Sequence, residues 1–484
     1  MMSGLPSSTL CRTAVAALAF AFSLGAQTPD PQPPGPPPSP QRPPLTPVPT
    51  EGDWLFLHDP GQRVDWWDRV KYIPLGRVES VYLSLGGEYR GEYERADSTA
   101  FGAGPQDPNG YYLQRFLAHA DLHLGVHIRL FSELQFDDVF DRNGGPRPGI
   151  DRDRAAIHQT FAEFGSNLDA QDGARLRVGR QELTFGTGRL VDNNEGVNVK
   201  FSFDGARLSW RKKDWQASLF AVKPVQLNPG VFDDSPNFRQ SFWGVYATVP
   251  LPIPKMKADL YYLGLDNKQA AYFTGKGSES RNSFGVRLFN RQPGALPPPG
   301  LDYNWEAVYQ GGSFAGRGIR AWTTATETGY TWHTPLQFRL ALRADAASGS
   351  ASDHTLGTFN PLFPRGAYFG PKLVLIAPAN IYDVHPVLFL HPRRNVTASV
   401  EGVWFWRQNV HDGVYGFGGL LLRPGTPGQS RFIGTQVNLE IRWALTPHVT
   451  VALNPALFLT GAFLQQTLPA HNVAFVNIGL MYRF

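Results

Sequence analysis

The last ten residues, "FVNIGLMYRF" (475–484), carry the pattern on which the fold depends. Counting back from Phe484, every second residue is apolar or aromatic, which puts Tyr482, Leu480 and Ile478 on one side. Successive side chains of a β-strand point to opposite faces, so this stretch predicts a strand with one apolar face. An unpaired apolar strand at a sheet edge invites aggregation, and we therefore expect this strand to have a partner.

The same alternation recurs along most of the chain. In "QFRLALRAD" (337–345), Leu340 and Leu342 alternate with Arg339 and Arg343. Further stretches such as "TASVEGVWFWR" and "TQVNLEIRWAL" repeat the split between an apolar face and a charged face. The repeated pattern predicts about eighteen strands between residues 80 and 484.

Two all-β architectures compete for such strands, because a soluble sandwich also alternates. No amphipathic helix interrupts the region, and the spacing suits hairpins of roughly 10-residue strands plus connections. Aromatic residues gather near strand ends, at 243–246, 261–262, 330–332 and 404–406, where a membrane barrel places its interfacial girdles. We therefore predict an all-β fold, a transmembrane antiparallel β-barrel, with the lipid bilayer as its first partner.

The closing strand also resembles an assembly signal. Outer-membrane barrels commonly finish on a strand of alternating apolar residues with a terminal aromatic residue, as "VAFVNIGLMYRF" (473–484) does. The resemblance implies that the barrel-assembly machinery recognises the strand ending at Phe484. The expected localisation is the cell outer membrane.

The N-terminal region predicts export. Residues 1–26 include the apolar run "AVAALAFAFSLGA", which is too short to span a bilayer and is typical of a secretory signal peptide. Residues 27–52 are proline-rich and predict a disordered or semi-rigid linker. Residues 53–79 are expected to form an N-terminal periplasmic segment that precedes the barrel at 80–484.

Several function classes are disfavoured. The only cysteine, Cys11, lies in the predicted signal peptide, which excludes thiolate chemistry from the mature chain. A net charge of +4 is too small to argue for nucleic acid. No nucleophile motif of the G-x-S-x-G type is present, and "DRDR" (151–154) lacks the repeating oxygen ligands of a calcium loop. We predict no enzymatic activity, no cofactor and no metal site.

With lipid outside, the polar face of each strand would line an aqueous channel. These faces are rich in arginine, whose guanidinium group suits carboxylates. The candidate pore-lining residues from this pattern are Arg90, Arg129, Arg175, Arg177, Arg207, Arg339, Arg343, Asp345, Glu401, Arg407 and Arg442. The alternative is that arginines and carboxylates pair across the lumen and stiffen the wall.

Two segments break the alternation: "GRQELTFGTGRLVDNNEGVNVKFSFDGARL" (179–208) and "TFNPLFPRGAYFGP" (358–371). The second lies in a long connection, and long connections are usually functional or disordered. Its apolar residues Phe359, Leu362 and Phe363 need partners to pack on, which predicts a loop folded into the lumen as a constriction or plug.

These two segments, together with "DVHPVLFL" (383–390) and "FIGTQVNLEIRWALTPHVTV" (432–451), resemble the alginate export family of outer-membrane porins. The resemblance implies an eighteen-stranded barrel whose arginine-lined, loop-gated pore passes a polyuronate. By the match, the residues that shape the channel are Arg180, Arg189, Asp204 and Arg207 in the first segment and Asn360, Arg365 and Tyr368 in the second.

The leading hypothesis is therefore a channel for an anionic polysaccharide or acidic oligosaccharide, with a periplasmic export complex as a further candidate partner. The alternative is a general porin for small nutrients such as sugars and organic acids. An outer-membrane hydrolase is the remote alternative.

Overall fold

The computed structural model describes residues 42–43, 45–46, 48–168, 170–291, 299–351, 354–366 and 368–484. The predicted signal peptide and most of the proline-rich linker lie outside the described residues, and the fold is that of the compact unit Pro43–Phe484. Helical elements are short: α-helices Asp68–Lys71 and Ala462–Gln465, and 3-10 turns Pro49–Glu51, Leu55–His58, Pro60–Gln62, Thr99–Gly102 and Phe417–Gly419. In the described part of the chain, no helix has the length and apolar character needed to cross a membrane.

In the part of the chain that the structure describes, eighteen long antiparallel strands form one sheet, which confirms the predicted strand count. They are β1 Val81–Ala96, β2 Asp107–Leu124, β3 Ile128–Phe140, β4 Asp153–Gly165, β5 Gly173–Gln181, β6 Phe203–Lys212, β7 Trp215–Gln226, β8 Gln240–Pro250, β9 Lys257–Tyr272, β10 Gly275–Phe289, β11 Gly300–Phe314, β12 Arg317–Thr331, β13 Arg339–Ala347, β14 Ile381–Arg393, β15 Val396–Arg407, β16 Phe432–Ala444, β17 Val449–Thr460 and β18 Val473–Arg483. Short strand pieces lie at Ile73–Pro74, Ser235–Pro236, Thr355–Leu356, Val414–Tyr415 and Leu421–Arg423.

The sheet closes on itself. The last strand, β18, pairs with β1 in a register that puts Arg483 opposite Glu88. Beyond it, the backbone groups of Gly87 and Phe484 exchange two hydrogen bonds of 3.0 Å each. The apolar C-terminal strand therefore has a partner on both sides, and among the described residues each long strand of the barrel is paired along both edges.

Alternation along each strand separates the two faces of the wall. In β13, Leu340 and Leu342 are exposed on the outer face, whereas Arg339 and Ala341 are buried on the inner face. An apolar outer wall with no free edge is the form in which strands satisfy their backbone groups in lipid. The predicted transmembrane β-barrel is confirmed.

A charge on the outer wall should destabilise the folded barrel. Leu342, near the middle of β13, is 52% exposed, and Leu342→Arg is expected to cost about 2–4 kcal/mol of unfolding free energy at the depth of the bilayer midplane. Reversible denaturant unfolding in lipid vesicles measures the effect. The matched control is Leu420→Arg, at a loop position that is 70% exposed, and equal losses in both variants would contradict a lipid-facing wall at Leu342.

Only some of the aromatic residues near the strand ends lie on the outer wall, where a girdle was predicted. Tyr330 and Trp332 are exposed on the outside as expected. Tyr246 and Tyr261, by contrast, stack on each other inside the barrel with ring centroids 5.0 Å apart, and Phe405 is also buried inside. The prediction of a girdle is wrong for these three residues, because the inner face of several strands carries aromatic residues of its own.

The two ends of the barrel differ. At one end the connections are short, such as 125–127, 213–214 and 394–395. At the other end they are long, and the longest are 182–202, 348–380 and 408–431. We call these the short-turn end and the long-loop end. The C-terminal Phe484 lies at the short-turn end.

The segment before β1, residues 48–74, folds over the rim of the short-turn end. Inside the wall, the guanidinium of Arg129 donates to the Thr50 carbonyl at 2.9 Å. Outside it, the indole of Trp67 donates to the hydroxyl of Tyr482 at 2.7 Å. Residues ahead of the barrel thus contact both faces of the wall at this mouth.

Candidate functional site

Two long connections from the long-loop end fold into the barrel and pair with each other. We call residues 182–202 the first lumen loop and residues 348–380 the second lumen loop. The amide of Phe363 donates to the Leu190 carbonyl at 2.9 Å, and the amide of Arg365 donates to the Gly188 carbonyl at 2.8 Å. The two loops therefore form one hydrogen-bonded unit inside the lumen.

Aromatic packing holds this unit against the wall. The ring of Phe363 lies 5.2 Å from that of Phe203 on β6 and 5.0 Å from that of Phe242 on β8, both edge-on. Phe359, earlier in the second lumen loop, is 2% exposed. The inner faces of β6–β9 supply the apolar partners that the sequence of the second lumen loop requires. The loop does fold into the lumen.

Ion pairs hold the first lumen loop to β1 and β2 and also connect residues within the loop. Arg115 on β2 is fully buried, and its guanidinium contacts the carboxylates of Glu88 and Glu195 at 2.6 Å each. Lys200 contacts Glu182 at 2.5 Å and Glu195 at 3.4 Å. Although burial opposes ionisation, Lys200 holds the pKa of Glu182 down at about 2, so this carboxylate is charged at neutral pH.

Polar clamps fix the second lumen loop in place. The side chain of Gln310 on β11 accepts from the Asn360 amide at 3.0 Å and donates to its carbonyl at 2.7 Å. The Asn360 side chain in turn donates to the hydroxyl of Tyr272 at 3.0 Å. On the other side, Lys372 contacts Glu92 on β1 at 2.5 Å. The loop is bound to walls on both sides of the lumen.

Beneath these loops lies a polar cavity of about 160 Å³, which we call the arginine cavity. It is lined by Thr187, Arg189, Arg291, Asp302, Tyr303, Asn304, Glu327, Arg343, Asp345, Arg365, Tyr368, His385 and Phe389. Both lumen loops and strands β11–β14 contribute to it. Five residues that the sequence singled out, Arg189, Arg343, Asp345, Arg365 and Tyr368, meet here.

Charges in the arginine cavity are partly compensated. Arg343 contacts Glu327 at 3.0 Å, and Arg189 contacts Glu306 at 3.2 Å. Burial and the charge of the neighbouring Arg343 both lower the pKa of the Arg365 guanidinium, although the carboxylates of Asp192 and Glu401 oppose this effect. An anion bound in the cavity would relieve the repulsion between Arg343 and Arg365.

A second cavity of about 270 Å³ lies toward the long-loop end. Its lining mixes apolar residues such as Phe101 and Leu373 with Arg142, Arg147 and Lys372. Arg365 lines the arginine cavity and the next residue, Gly366, lines the second cavity. The second lumen loop thus contributes to both cavities.

A model of the alginate export family matches residues 81–476. The chain belongs to the alginate export family. The protein is an outer-membrane channel, and the predicted localisation is confirmed. No curated protein matches the chain.

Solved outer-membrane structures share the fold of this family member. OpdK of Pseudomonas aeruginosa, solved with vanillate, aligns with a TM-score of 0.58 at 11% identity over 83% of this chain and 98% of that chain. OccD3 of Pseudomonas aeruginosa gives 0.56 at 10% identity over 86% and 93%. OccAB4 of Acinetobacter baumannii gives 0.56 at 10% identity over 83% and 97%. At these identities the likeness concerns the fold alone.

The other arginines predicted to line the pore of this alginate export protein lie mostly in ion pairs or against loop carbonyls. Paired with carboxylates are Arg129 with Asp121, Arg177 with Glu163, Arg339 with Asp302, and Arg442 with Glu440. Bound to loop carbonyls are Arg90, Arg175 and Arg407. Arg207 contacts Ser218 and the ring of Phe185, and Glu401 contacts His385. These side chains lie on the inner face, outside the arginine cavity.

The structure corrects the predicted position of Arg180. Its register partner on β6 is Asp204, and the two form a bidentate pair at 2.9 and 3.0 Å. Their neighbours Gln181 and Phe203 are fully buried inside, so alternation puts Arg180 and Asp204 on the outer wall. The expected place of these two residues in the channel is wrong. The segment resembles the family pattern, but the alternation along the two strands directs the side chains of Arg180 and Asp204 away from the lumen.

Several charged residues of the lumen were missed by sequence reasoning. Arg115 shares its inner face with Tyr111, Leu113 and Leu117, so the first half of β2 shows no polar stripe. The outward side chains of Tyr112 and Phe116 and the inward carboxylate of Asp121, on the same strand, both indicated that Arg115 faces inward. Lys200 lies in an irregular loop, where no periodicity marks a buried charge.

Proposed function

We propose that this alginate export family member passes an anionic polysaccharide or acidic oligosaccharide of the polyuronate type. The observation that carries the proposal is the arginine cavity, in which Arg189, Arg343 and Arg365 converge from two loops and the wall. Guanidinium groups bind carboxylates through paired hydrogen bonds, and a low-dielectric constriction raises the local concentration of the matching ion.

The route follows from the two ends of the barrel. Short turns of outer-membrane barrels face the periplasm, so residues 53–79 and Phe484 would lie on that side. A polyuronate entering there would meet Arg442, whose side chain is 55% exposed, before it reaches the arginine cavity. From there it would pass the lumen loops and leave through the second cavity. The loops would gate this passage.

Charge reversal in the arginine cavity tests the proposal. Arg343→Glu combined with Arg365→Glu is expected to weaken blockade of the channel by uronate oligomers several-fold, because it replaces the carboxylate-binding groups with repulsive ones. Single-channel conductance in planar bilayers measures the block. The matched double variant Arg320→Glu with Arg394→Glu changes two exposed arginines and should leave the block unchanged. Unchanged block in the cavity variant would remove these two arginines from the conduction path.

A second candidate is a porin for small organic acids. The arginine cavity, at about 160 Å³, is large enough for a single small carboxylate, and the similar barrel of OpdK was solved with vanillate. Oligomer length discriminates the two functions. The polysaccharide channel is supported if the block of conductance becomes stronger from the uronate monomer to longer oligomers. The small-acid porin is favoured if the monomer, vanillate and the oligomers block conductance equally.

The partners in this proposal are the lipid bilayer, the barrel-assembly machinery acting on the strand that ends at Phe484, and a periplasmic export complex. The N-terminal segment at the short-turn mouth is where such a complex would approach. Family and fold are those of a channel, and we propose no enzymatic activity.

A further inference from the structure

Three carboxylates meet at the long-loop end, away from the arginine cavity. Asp153 is the first residue of β4, and Asp233 and Asp234 lie in the connection 227–239 between β7 and β8. One oxygen of each side chain lies within 4.8 Å of an oxygen of the other two. Three negative groups at this separation repel one another, and either a bound cation or a shared proton relieves the repulsion.

Asp153 is the decisive member of this group. It is 0% exposed, and neither of its carboxylate oxygens receives a hydrogen bond from any residue that the structure describes. The nearby Asp151, equally buried, contacts Arg147 at 2.7 Å and Arg142 at 3.4 Å. A buried carboxylate without a donor is costly, so Asp153 lacks the compensation that Asp151 has.

Backbone contacts hold the three side chains together. The amide of Phe232 donates to the Ala155 carbonyl at 2.7 Å, next to an isolated bridge between Ala155 and Val231. The amide of Asn228 donates to one carboxylate oxygen of Asp234 at 2.7 Å. The arrangement therefore follows from the path of the connection 227–239 along β4.

The arginine on this part of the wall is already engaged. Arg180 lines the same outer groove as Asp234, but its guanidinium binds both oxygens of Asp204 and the Ile157 carbonyl. The Arg180 guanidinium therefore donates no hydrogen bond to Asp153.

We propose that Asp153, Asp233 and Asp234 form a binding site for a divalent cation, with calcium preferred over magnesium. An all-oxygen set of three carboxylates suits a hard cation, and calcium tolerates the irregular geometry that two separate segments provide. The cation would tie the connection 227–239 to the start of β4. The stretch "DRDR" did not reveal the site because two of its ligands come from a part of the chain about 80 residues away.

Calcium binding to the purified full-length protein in detergent, after removal of metal with a chelator, tests the site. Titration calorimetry is expected to show one saturable site with a dissociation constant of about 10⁻⁴–10⁻³ M, as in extracellular calcium modules. Asp153→Asn and Asp233→Asn should each weaken binding at least tenfold. Asp266→Asn, at an exposed carboxylate on the same rim, should bind as the wild type does.

A second measurement covers the case in which Asp153→Asn does not fold. Calcium should slow tryptic cleavage after Arg239 in the wild type and in Asp266→Asn, and should not slow it in Asp233→Asn, whose changed residue is exposed. Absence of saturable binding to the wild type up to about 10 mM calcium, or unaltered binding in both site variants, would overturn the proposal. In that case a proton shared among the carboxylates would explain the cluster.

Discussion

Replacement of residues 359–373 by a short glycine–serine linker is expected to raise single-channel conductance several-fold. This part of the second lumen loop crosses the barrel from the clamp at Gln310 to the ion pair between Lys372 and Glu92, and it packs on the inner wall through Phe363. Barrels of this strand number otherwise enclose an aqueous channel, so conductance should rise once the segment is gone. Planar-bilayer recording measures the change.

Two variants make this prediction specific. Deletion of Pro427 and Gly428, at the exposed tip of another long connection, should leave conductance within the spread of the wild type. Phe363→Ala keeps the loop length but removes its aromatic anchor, and it should increase the frequency of transitions between conductance levels. Wild-type conductance in the linker variant would mean that the second lumen loop does not limit the passage.

Arg115→Leu is expected to lower the free energy of unfolding by about 3 kcal/mol. The substitution leaves the buried carboxylate of Glu88 and the partly buried carboxylate of Glu195 without their shared guanidinium, and an uncompensated buried charge is the costly state. Arg483 and Lys200 still contact these carboxylates. The expected loss of unfolding free energy is therefore at the lower end of the range for a buried ion pair that loses one partner. Denaturant unfolding in lipid vesicles measures the loss.

Neutralising the two carboxylates that lose the Arg115 guanidinium should restore much of the lost free energy of unfolding. The triple variant Arg115→Leu, Glu88→Gln, Glu195→Gln is expected to be more stable than Arg115→Leu alone. Arg211→Leu, at an exposed position of β6, serves as the control and should change stability by no more than about 0.5 kcal/mol. Equal losses at Arg115 and Arg211 would contradict a role for the buried network in holding the first lumen loop.

Much of the barrel could be predicted because lipid imposes a simple rule. Where one face of a strand is apolar and the other charged, as with Leu340 and Leu342 against Arg339 and Arg343, the period of two fixes both strand and orientation. Closure followed from the apolar C-terminal strand, which needs a partner and finds it in β1.

The rule fails where both faces are apolar. Tyr246 and Tyr261 were assigned to the outside, yet they form part of an aromatic core that the lumen loops cover. Periodicity alone does not reveal which of two apolar faces meets lipid. Arg180 was misplaced for a related reason, because a motif match carries no information about strand phase.

The candidate site was predictable in part only. The apolar side chains of the second lumen loop indicated that it folds inward, and Arg343 was on the inner face by alternation. The meeting of Arg189, Arg343 and Arg365 depends on pairing between two loops far apart in the chain, at Leu190 and Phe363. No local pattern encodes such a contact, and the buried network around Arg115 is hidden for the same reason.

Reversal potential and blockade of the wild-type channel in planar bilayers test the central claim most directly. Under a salt gradient, the arginine cavity should make the channel favour anions, and uronate oligomers added on the periplasmic side should block it reversibly while neutral oligosaccharides of equal length do not. Preference for cations, with equal block by the charged and the neutral oligomers, would contradict an anionic-polysaccharide channel.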